Sequence, residues 1–379
     1  MSGGVDSSVA AAKLIEQGFE VIGVTARVWE NSNPESTPET ESEEADTPEA
    51  ESKETDTPEA EIDDAKKVCE FLGIEHHVVD LREEFKCAVM DYFVMEYCHV
   101  RTPNPCNMCN RHIKWRALTE AAEKYGADYV ATGHYARIIK LSNGRFSIAN
   151  AESAVKDQTY ALCFLTQEQL SKTLMPLGDY TKEQVREEAK RLGLSVAEKK
   201  DSQDICFIPD KDYRKFIDGY MEENSDRETV KNIYPDYLAA NHVGNFVDEY
   251  GNVLGAHRGL LSYTYGQRRG LGVSAKTRLC VIDMNETTGN ITLAEDEKAY
   301  SDSCICRDVS WMSIEKPCGN IKAFTKIRYA HKGENATLSP MEGNRVKVTF
   351  DNPVRAITPG QPIVFYENDY ILGAGIIDK

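Results

Sequence analysis

The sequence predicts an α/β fold with a doubly wound parallel sheet, then a small central domain and a C-terminal antiparallel β-barrel. Over residues 1–210, helical patterns alternate with short apolar runs, as in a parallel sheet covered by helices. Beyond residue 283, short segments of alternating polarity are separated by turn signals such as Asn352-Pro353, which is typical of a barrel. Charged, turn-rich sequence lies between the two. We therefore place the domains at 1–210, 211–282 and 283–379.

The elements of the first domain follow from apolar spacing. In its first helix, for example, Val9, Ala12 and Ile15 supply apolar positions at helical spacing. Helices are predicted at 5–17, 65–72, 83–97, 112–125 and 182–192, and strands at 19–24, 76–81 and 129–132. The barrel strands are expected to include 291–293 and 346–350.

The formal net charge of −18 is concentrated in one segment. Residues 30–64 contain 15 Asp or Glu and a single Lys, which leaves only −4 for the remainder of the chain. The segment is rich in Glu, Thr, Pro and Ser and repeats Asp-Thr-Pro-Glu-Ala-Glu, so it cannot bury enough apolar surface to fold. We expect a disordered loop insertion, and the near-neutral remainder allows a basic surface that binds RNA.

The chain has no apolar stretch near the roughly 20 residues that a membrane helix needs, and no secretory signal. Its eleven cysteines are scattered and odd in number, unlike a secreted disulfide framework. A reducing, cytoplasmic setting is therefore expected, without membrane association. Because no self-interface is evident, we expect a monomer.

A phosphate-binding loop is predicted at the start of the chain, where Ser2–Ser8 run into the first helix. Two glycines allow close backbone approach, and the helix N-terminus offers free N–H groups to an anion. The Lys of a Walker loop is absent. The segment resembles the SGGxDS loop of the ATP pyrophosphatases, which implies ATP cleaved between the α- and β-phosphates. The alternative is an ordinary helix cap with glycines in a tight turn.

Such a loop normally follows the first strand of its sheet, and that strand is absent before Ser2. We therefore expect the natural start codon to lie upstream of Met1.

Two cysteines are candidates for sulfur chemistry. Cys109 ends the polar loop 102–110 before the helix predicted at residue 112, and a helix N-terminus lowers the pKa of a thiol. Cys206 is the second candidate. Together Cys106 and Cys109 form a CxxC pair, for which zinc binding, redox chemistry and a purely structural role are the alternatives.

Over nearly its whole length the chain resembles the bacterial tRNA-specific 2-thiouridylase family. That resemblance implies an ATP pyrophosphatase domain, a central domain and a β-barrel, acting on the wobble uridine of the tRNAs for lysine, glutamate and glutamine. The stretches that carry it are Ser2–Ser8, Arg101–Trp115, Ala131–Tyr135, Lys156–Gln158, Lys200–Phe207, Gly266–Gly272, Arg328-Tyr329 and Thr358–Gln361.

The resemblance also implies roles for single residues. Cys109 would be the catalytic nucleophile and Cys206 the carrier of a persulfide received from a sulfur-donor protein; Asp6 is a further catalytic candidate. ATP, with Mg²⁺, would be held by Ser2, Gly3, Gly4, Val5, Asp6, Ser7, Ala26 and Gly133. The target base would contact Asn104, Pro105 and Cys106. The remaining tRNA contacts would be His134, Lys156, Asp157, Gln158, Arg328, Tyr329 and Gln361.

This chemistry has a physical logic. The 2-oxygen of uracil is a poor leaving group, and adenylation allows a sulfur nucleophile to displace it as part of AMP. The family usually has Asp where this chain has Cys106, so the general base is unassigned. The replacement also creates a triplet with Cys109 and Cys206, which could hold an iron–sulfur cluster with one open iron. A persulfide on Cys206 and a cluster-bound hydrosulfide are therefore both retained as sulfur nucleophiles.

Two other functions remain open on the sequence. An amide-forming ATP pyrophosphatase also adenylates a carbonyl oxygen, but it needs neither paired cysteines nor a barrel. An RNA-binding protein with an inactive nucleotide site is the alternative outside enzymology.

Overall fold

A computed structural model describes residues 1–30, 58–153, 156–199 and 205–378. The N-terminal domain has helices and strands in alternation, as predicted. Its helices are α1 (Val5–Glu16), α2 (Pro58–Leu72), α3 (Arg82–Phe85), α4 (Asp91–Cys98), α5 (Pro105–Cys109), α6 (Trp115–Tyr125), α7 (Gln167–Ser171) and α8 (Lys182–Leu192). Its strands are β1 (Gly23–Arg27), β2 (His76–Asp80), β3 (Val130–Ala131), β4 (Arg137–Lys140), β5 (Phe146–Ala149) and β6 (Thr173–Leu174).

Two strand pairs of this domain are parallel, as the α/β pattern predicts. β1 pairs with β2 from Gly23 opposite His76 onward, and β3 pairs with β6. The main chain of Met1 lies beside β1, because its amine donates to the Val24 carbonyl and its own carbonyl accepts from Thr25 Oγ1 at 2.9 Å. The phosphate loop thus lies beside the carboxyl end of the sheet, where ligands of open α/β folds bind.

The C-terminal part of the predicted acidic insertion is helical, whereas the sequence predicted a disordered loop. α2 begins at Pro58 rather than at residue 65, so residues 58–64 are helical. The physical reason is local: Pro is favoured in a first helical turn, and Glu59 and Glu61 complement the positive end of the helix dipole. The rest of the predicted insertion, 31–57, lies outside the described residues.

The central domain contains two helices and a four-stranded sheet in the order β8-β7-β10-β9. The predicted barrel start at residue 283 falls inside β9, and the segment 291–293 pairs with β7 and β9 instead of joining the barrel. Alternating polarity marks a strand without indicating which sheet it joins. The elements are α9 (Tyr213–Glu223), α10 (Glu228–Asn241), β7 (Gly244–Val247), β8 (Val253–His257), β9 (Leu279–Asn285) and β10 (Asn290–Glu295).

The C-terminal region is an antiparallel barrel of six strands, which confirms the predicted barrel. The order β11-β14-β13-β12-β15-β16 closes because β11 also pairs with β16. Buried side chains such as Leu338, Val348 and Ile363 fill its interior. The strands are β11 (Tyr300–Trp311), β12 (Ile321–Lys326), β13 (Glu334–Met341), β14 (Arg345–Arg355), β15 (Pro362–Glu367) and β16 (Tyr370–Ile377).

The N-terminal domain contributes a hairpin to the barrel sheet. β4 and β5 are antiparallel, and β5 pairs with β16 through Ala149 and Tyr370. The buried Ser147 hydroxyl donates to the Ile371 carbonyl at 2.7 Å. The hairpin therefore fixes the barrel against the domain that carries the phosphate loop.

A buried ion-pair cluster also joins the two domains. Glu96 of α4 is 1% exposed and accepts from Arg101, at 2.7 and 2.9 Å, and from Arg307 of β11, at 3.1 and 3.2 Å. Arg101 immediately precedes the loop that leads to Cys106. Within the described ranges, no helix is both long and apolar enough to cross a membrane.

Candidate active site

The loop before α1 has the geometry of an anion cradle. Gly3 has φ +64°, and the N-cap residue of α1 is Gly4, which has no side chain to bond the first-turn amides. The hydroxyls fold inward: Ser7 Oγ accepts from the Ser2 amide at 3.1 Å, and Ser8 Oγ donates to the Gly4 carbonyl at 2.8 Å. A helix start capped by glycine suits the binding of an anion such as phosphate by its first-turn amides.

Asp6, at the start of α1, is held by two residues that the sequence did not reveal. Lys182 Nζ donates to both carboxylate oxygens, at 2.8 and 3.0 Å, and the Tyr135 hydroxyl donates at 2.8 Å. The Lys182 side chain is only 8% exposed. Asp6 therefore anchors α1 to α8 and to the segment after β3.

Gly133, predicted to contact ATP through its backbone, packs against the same loop. A Cβ at this position would lie 2.6 Å from the Asp6 carbonyl carbon and 2.7 Å from the Ser7 nitrogen. Only glycine fits without displacing the phosphate loop. Ala26, the other predicted backbone contact, lies in β1 opposite Val79.

Cys109 lies in a different part of its helix than predicted. The helix begins at Pro105, not at residue 112, since Asn104 caps it and its side chain accepts from the Cys106 amide at 3.1 Å. Cys109 is therefore in the second turn, is 9% exposed, and burial raises the pKa of its thiol. The expectation that the helix dipole lowers that pKa is wrong, because the dipole acts mainly within the first turn.

Cys206 follows a part of the matching stretch, residues 200–204, that lies outside the described residues. Its side chain reaches solvent. Even so, the surrounding protein and the nearby charge of Cys109 raise the pKa of its thiol to about 12, against the opposing effect of Lys114. Cys106 also reaches solvent.

The three thiols do not fit an iron–sulfur cluster. In the parts of the chain that the structure describes, no three His, Cys, Asp or Glu side chains are arranged to hold a metal ion.

His134 directly follows Gly133, and the charge of Lys114 acts on it. Its ring stacks on Trp115 with centroids 5.8 Å apart, and Nδ1 lies 2.9 Å from Thr132 Oγ1. Burial, reinforced by the charge of Lys114, lowers the pKa of His134 to about 3. The ring is therefore neutral at physiological pH and can contact a base without adding charge.

Three residues that are predicted to contact tRNA form side-chain hydrogen bonds within the protein. Asp157 is 8% exposed, and its carboxylate accepts from the Ala151 amide at 2.9 Å and from the Thr159 hydroxyl at 2.5 Å. The carboxylate therefore orders the chain around Ala151 and Thr159, and the contact of Asp157 with tRNA stays a prediction. Gln158 accepts from the Tyr135 amide at 2.8 Å, and Gln361 donates to the Thr102 carbonyl at 2.8 Å.

The other predicted contacts form a surface next to the cysteine loop. Tyr329 is 52% exposed, and its ring lies 6.4 Å from that of Tyr160. Arg328 donates to the Arg355 carbonyl at 3.0 Å, and burial lowers the pKa of its guanidinium. The charge of Lys156 acts on Tyr329. A ring with adjacent cations suits stacking and phosphate contact with RNA.

The sequence also gave no sign of Lys114. Residues 110–114 form a π-helical turn between α5 and α6, and the charge of Lys114 acts on Cys109 and Cys206. Lys114 does lie in the stretch Arg101–Trp115, which carries part of the resemblance to a known family, and this was the signal available. The spacing did not indicate that Lys114 and Cys109 lie on the same side of the helix, because residues five apart in an α-helix lie on different faces.

Family models match the chain in three parts. They are a tRNA methyl transferase HUP domain over residues 1–210, a tRNA methyl transferase PRC-barrel domain over 231–295, and an aminomethyltransferase β-barrel domain over 301–377. The second match ends with β10, in agreement with the pairing of that strand in the central sheet.

Relatives match over the full length. A protein named tRNA-specific 2-thiouridylase MnmA from Lachnoclostridium phytofermentans is 44% identical, covering 100% of this chain and 98% of that protein. The protein of the same name from Clostridium perfringens is 45% identical, covering 100% and 97%. NMN synthetase from Francisella tularensis aligns over 64% of this chain and 83% of that chain, at 16% identity and a TM-score of 0.32, too low to support an argument. The chain therefore belongs to the tRNA-specific 2-thiouridylase family.

Proposed function

We propose that the protein replaces the 2-oxygen of the wobble uridine with sulfur in the tRNAs for lysine, glutamate and glutamine, at the expense of ATP. One observation carries the proposal beyond family membership. The charge of Lys114 acts on Cys109, on Cys206 and on His134, and His134 directly follows Gly133, which packs against the phosphate loop. Activation by ATP and sulfur delivery can therefore act on one base.

The first step is adenylation of the base. The amides from Ser2 to Ser7 would hold the phosphates of ATP, with its Mg²⁺, and Gly133 keeps that loop in place. The uracil 2-oxygen attacks the α-phosphorus, the bond to the β-phosphate breaks, and pyrophosphate leaves. The neutral ring of His134, with Asn104, Pro105 and Cys106, supplies the pocket for the flipped base.

The second step delivers sulfur. The terminal sulfur of a persulfide on Cys206 attacks C2, the C2–O bond breaks, and AMP leaves with the oxygen. The Cys109 thiolate then attacks the Cys206 sulfur, so that the S–S bond breaks and the electron pair goes to the thiocarbonyl sulfur of the base. A Cys109–Cys206 disulfide remains, and a dithiol reductant restores the two thiols.

The accessible Cys206 side chain supports a persulfide-donor protein as the source of sulfur. We do not propose the hydrosulfide cluster, because the described thiols do not provide its ligand set. All eleven cysteines are free, which supports a reducing, cytoplasmic setting. We also propose that the enzyme acts as a monomer.

The test is nucleoside mass spectrometry of tRNA from a bacterium that lacks its own uridine thiolase and expresses this chain. Restored 2-thiouridine derivatives are expected, with loss in Cys109→Ser and Cys206→Ser and retention in Cys318→Ser, an exposed cysteine of the barrel region. Thiolation that persists in both Cys109→Ser and Cys206→Ser would contradict the persulfide route. Iron that copurifies in proportion to activity would restore the cluster alternative.

A further inference from the structure

The helix that carries Cys109 changes its winding directly after that residue. From Asn110 to Lys114 the backbone follows the i→i+5 pattern of a π-helix, and the Trp115 amide donates to the Asn110 carbonyl. Such turns are rare and often occur at functional sites. Here the turn separates α5, which holds the CxxC pair, from α6.

The turn decides which side chain faces the thiol. In an α-helix, residues five apart are rotated by about 500° and so point about 140° away from each other. In a π-turn they lie about one turn apart, on the same side. The winding therefore places Lys114 on the face of Cys109, although an α-helical reading would place it elsewhere.

The surroundings of Lys114 match this placement. Lys114 reaches solvent, yet enough protein surrounds its ammonium for burial to act on its pKa. Burial by itself lowers the pKa of Lys114, but the charges of the thiols and of Glu61 more than offset this and raise it. The ammonium therefore persists. The groups with which it interacts through charge are Cys109, Cys106, Cys206, Glu61 and His134.

His134, the other basic side chain on which Lys114 acts, cannot take over this role. It is neutral, since its pKa is lowered to about 3. Lys114 is thus a cation that stays charged at physiological pH and acts on both thiols.

We propose that Lys114 is a positioning residue for sulfur transfer, whose ammonium stabilises the anionic sulfurs of Cys109 and Cys206. Two steps require a sulfur anion: the attack of sulfur on the base, and the attack of Cys109 on the Cys206 sulfur. In both steps the nucleophile forms in surroundings that disfavour negative charge. A fixed cation offsets that cost without exchanging protons itself. This inference rests on the proposed function only for the identity of the reaction.

The test is the alkylation rate of Cys206 by iodoacetamide in the full-length protein at pH 8, without ATP or tRNA, followed by peptide mass spectrometry. Because the thiol is largely protonated there, the rate follows the thiolate fraction. Lys114→Gln should slow the reaction about tenfold, as expected for loss of one nearby opposite charge. Lys114→Arg should retain most of the rate, and Lys124→Gln, an exposed change at the far end of α6, all of it.

One further variant and two reference thiols sharpen the test. Glu61→Gln, a change on the exposed face of α2, should speed alkylation of Cys206, because the Glu61 charge raises the pKa of that thiol. Exposed Cys318 and Cys87 are reference thiols in the same molecule. In turnover, Lys114→Gln should lower kcat while the KM for ATP stays within about twofold.

An unchanged alkylation rate in Lys114→Gln, or a slower one in Glu61→Gln, overturns the proposal. A large loss of ATP affinity in Lys114→Gln with normal alkylation also overturns it and makes Lys114 a nucleotide ligand. Since alkylation needs neither substrate, these outcomes are independent of whether the chain thiolates tRNA.

Discussion

The Gln361 amide of the barrel donates to the Thr102 carbonyl at 2.8 Å, while the Thr102 amide donates to the Pro359 carbonyl at 2.8 Å. The segment before β15 and the loop before α5 are therefore hydrogen-bonded in both directions. This loop leads directly to Asn104, which caps the helix of Cys106 and Cys109. The barrel thus positions the cysteines even though it contributes none of them.

Gln361→Met should lower thiolation several-fold with only a small loss of stability. Methionine keeps the volume but cannot donate, and one lost hydrogen bond costs about 1 kcal/mol. The measurement is single-turnover thiolation beside urea unfolding. Gln17→Met, at the exposed end of α1, is the control and should leave both unchanged. Equal activity in the two variants would mean that the loop is held without Gln361.

Gly133→Ala should reduce ATP binding at least tenfold, because the new Cβ would lie 2.6 Å from the Asp6 carbonyl carbon. The phosphate loop would have to move away from its position at the start of α1. Isothermal titration with ATP measures the effect. Gly219→Ala in α9 is the matched control, since its Cβ meets nothing within 4 Å and Ala favours a helix. Undiminished ATP affinity in Gly133→Ala would contradict the assignment of this loop.

Asp6→Ala should destabilise the fold by about 2 kcal/mol, because it leaves the poorly exposed Lys182 ammonium without its carboxylate. Lys182→Met should cost less, since an apolar side chain is compatible with that burial. Urea unfolding of both variants and of the double variant measures their coupling. Lys190→Gln breaks an exposed pair with Glu198 and should cost below about 1 kcal/mol. Additive losses in the double variant would show that Asp6 and Lys182 do not interact.

His134 should make stability fall as the pH is lowered. Its pKa is lowered to about 3 in the fold, whereas the unfolded chain takes up the proton near pH 6.5, so stability is complete above pH 6.5 and declines toward pH 3. His134→Gln removes this contribution. The free energy of unfolding should therefore depend less steeply on pH between 5 and 7.5 in the variant than in the parent. Parallel curves would show that His134 is not held neutral.

The sequence predicted the fold class because periodicity and a short motif report local structure. It missed the start of the helix at Pro105, although Asn104 and Pro105 are a cap and a first-turn residue, because the polar composition of that stretch favours a loop. The π-turn could not be predicted from the sequence, since spacing rules assume 3.6 residues per turn. Lys114 was missed for that reason.

Other differences depend on tertiary partners. Asp157 has the composition of a solvated turn, and only the packing around Ala151 and Thr159 shows that its carboxylate is buried. Lys182 and Asp6 are 176 residues apart, so no local pattern joins them. β10 was assigned to the wrong sheet because its pairing with β7 is not encoded in its own alternation.

The hairpin of β4 and β5 has a consequence for folding during synthesis on the ribosome. Ser147 and its partner Ile371 are 224 residues apart, and at ordinary rates of translation roughly 10 to 45 seconds separate their synthesis. During that interval the first domain emerges with a strand edge that nothing yet covers. The edge of β5 is covered by β16, so the N-terminal domain completes its fold only after that barrel strand has been made.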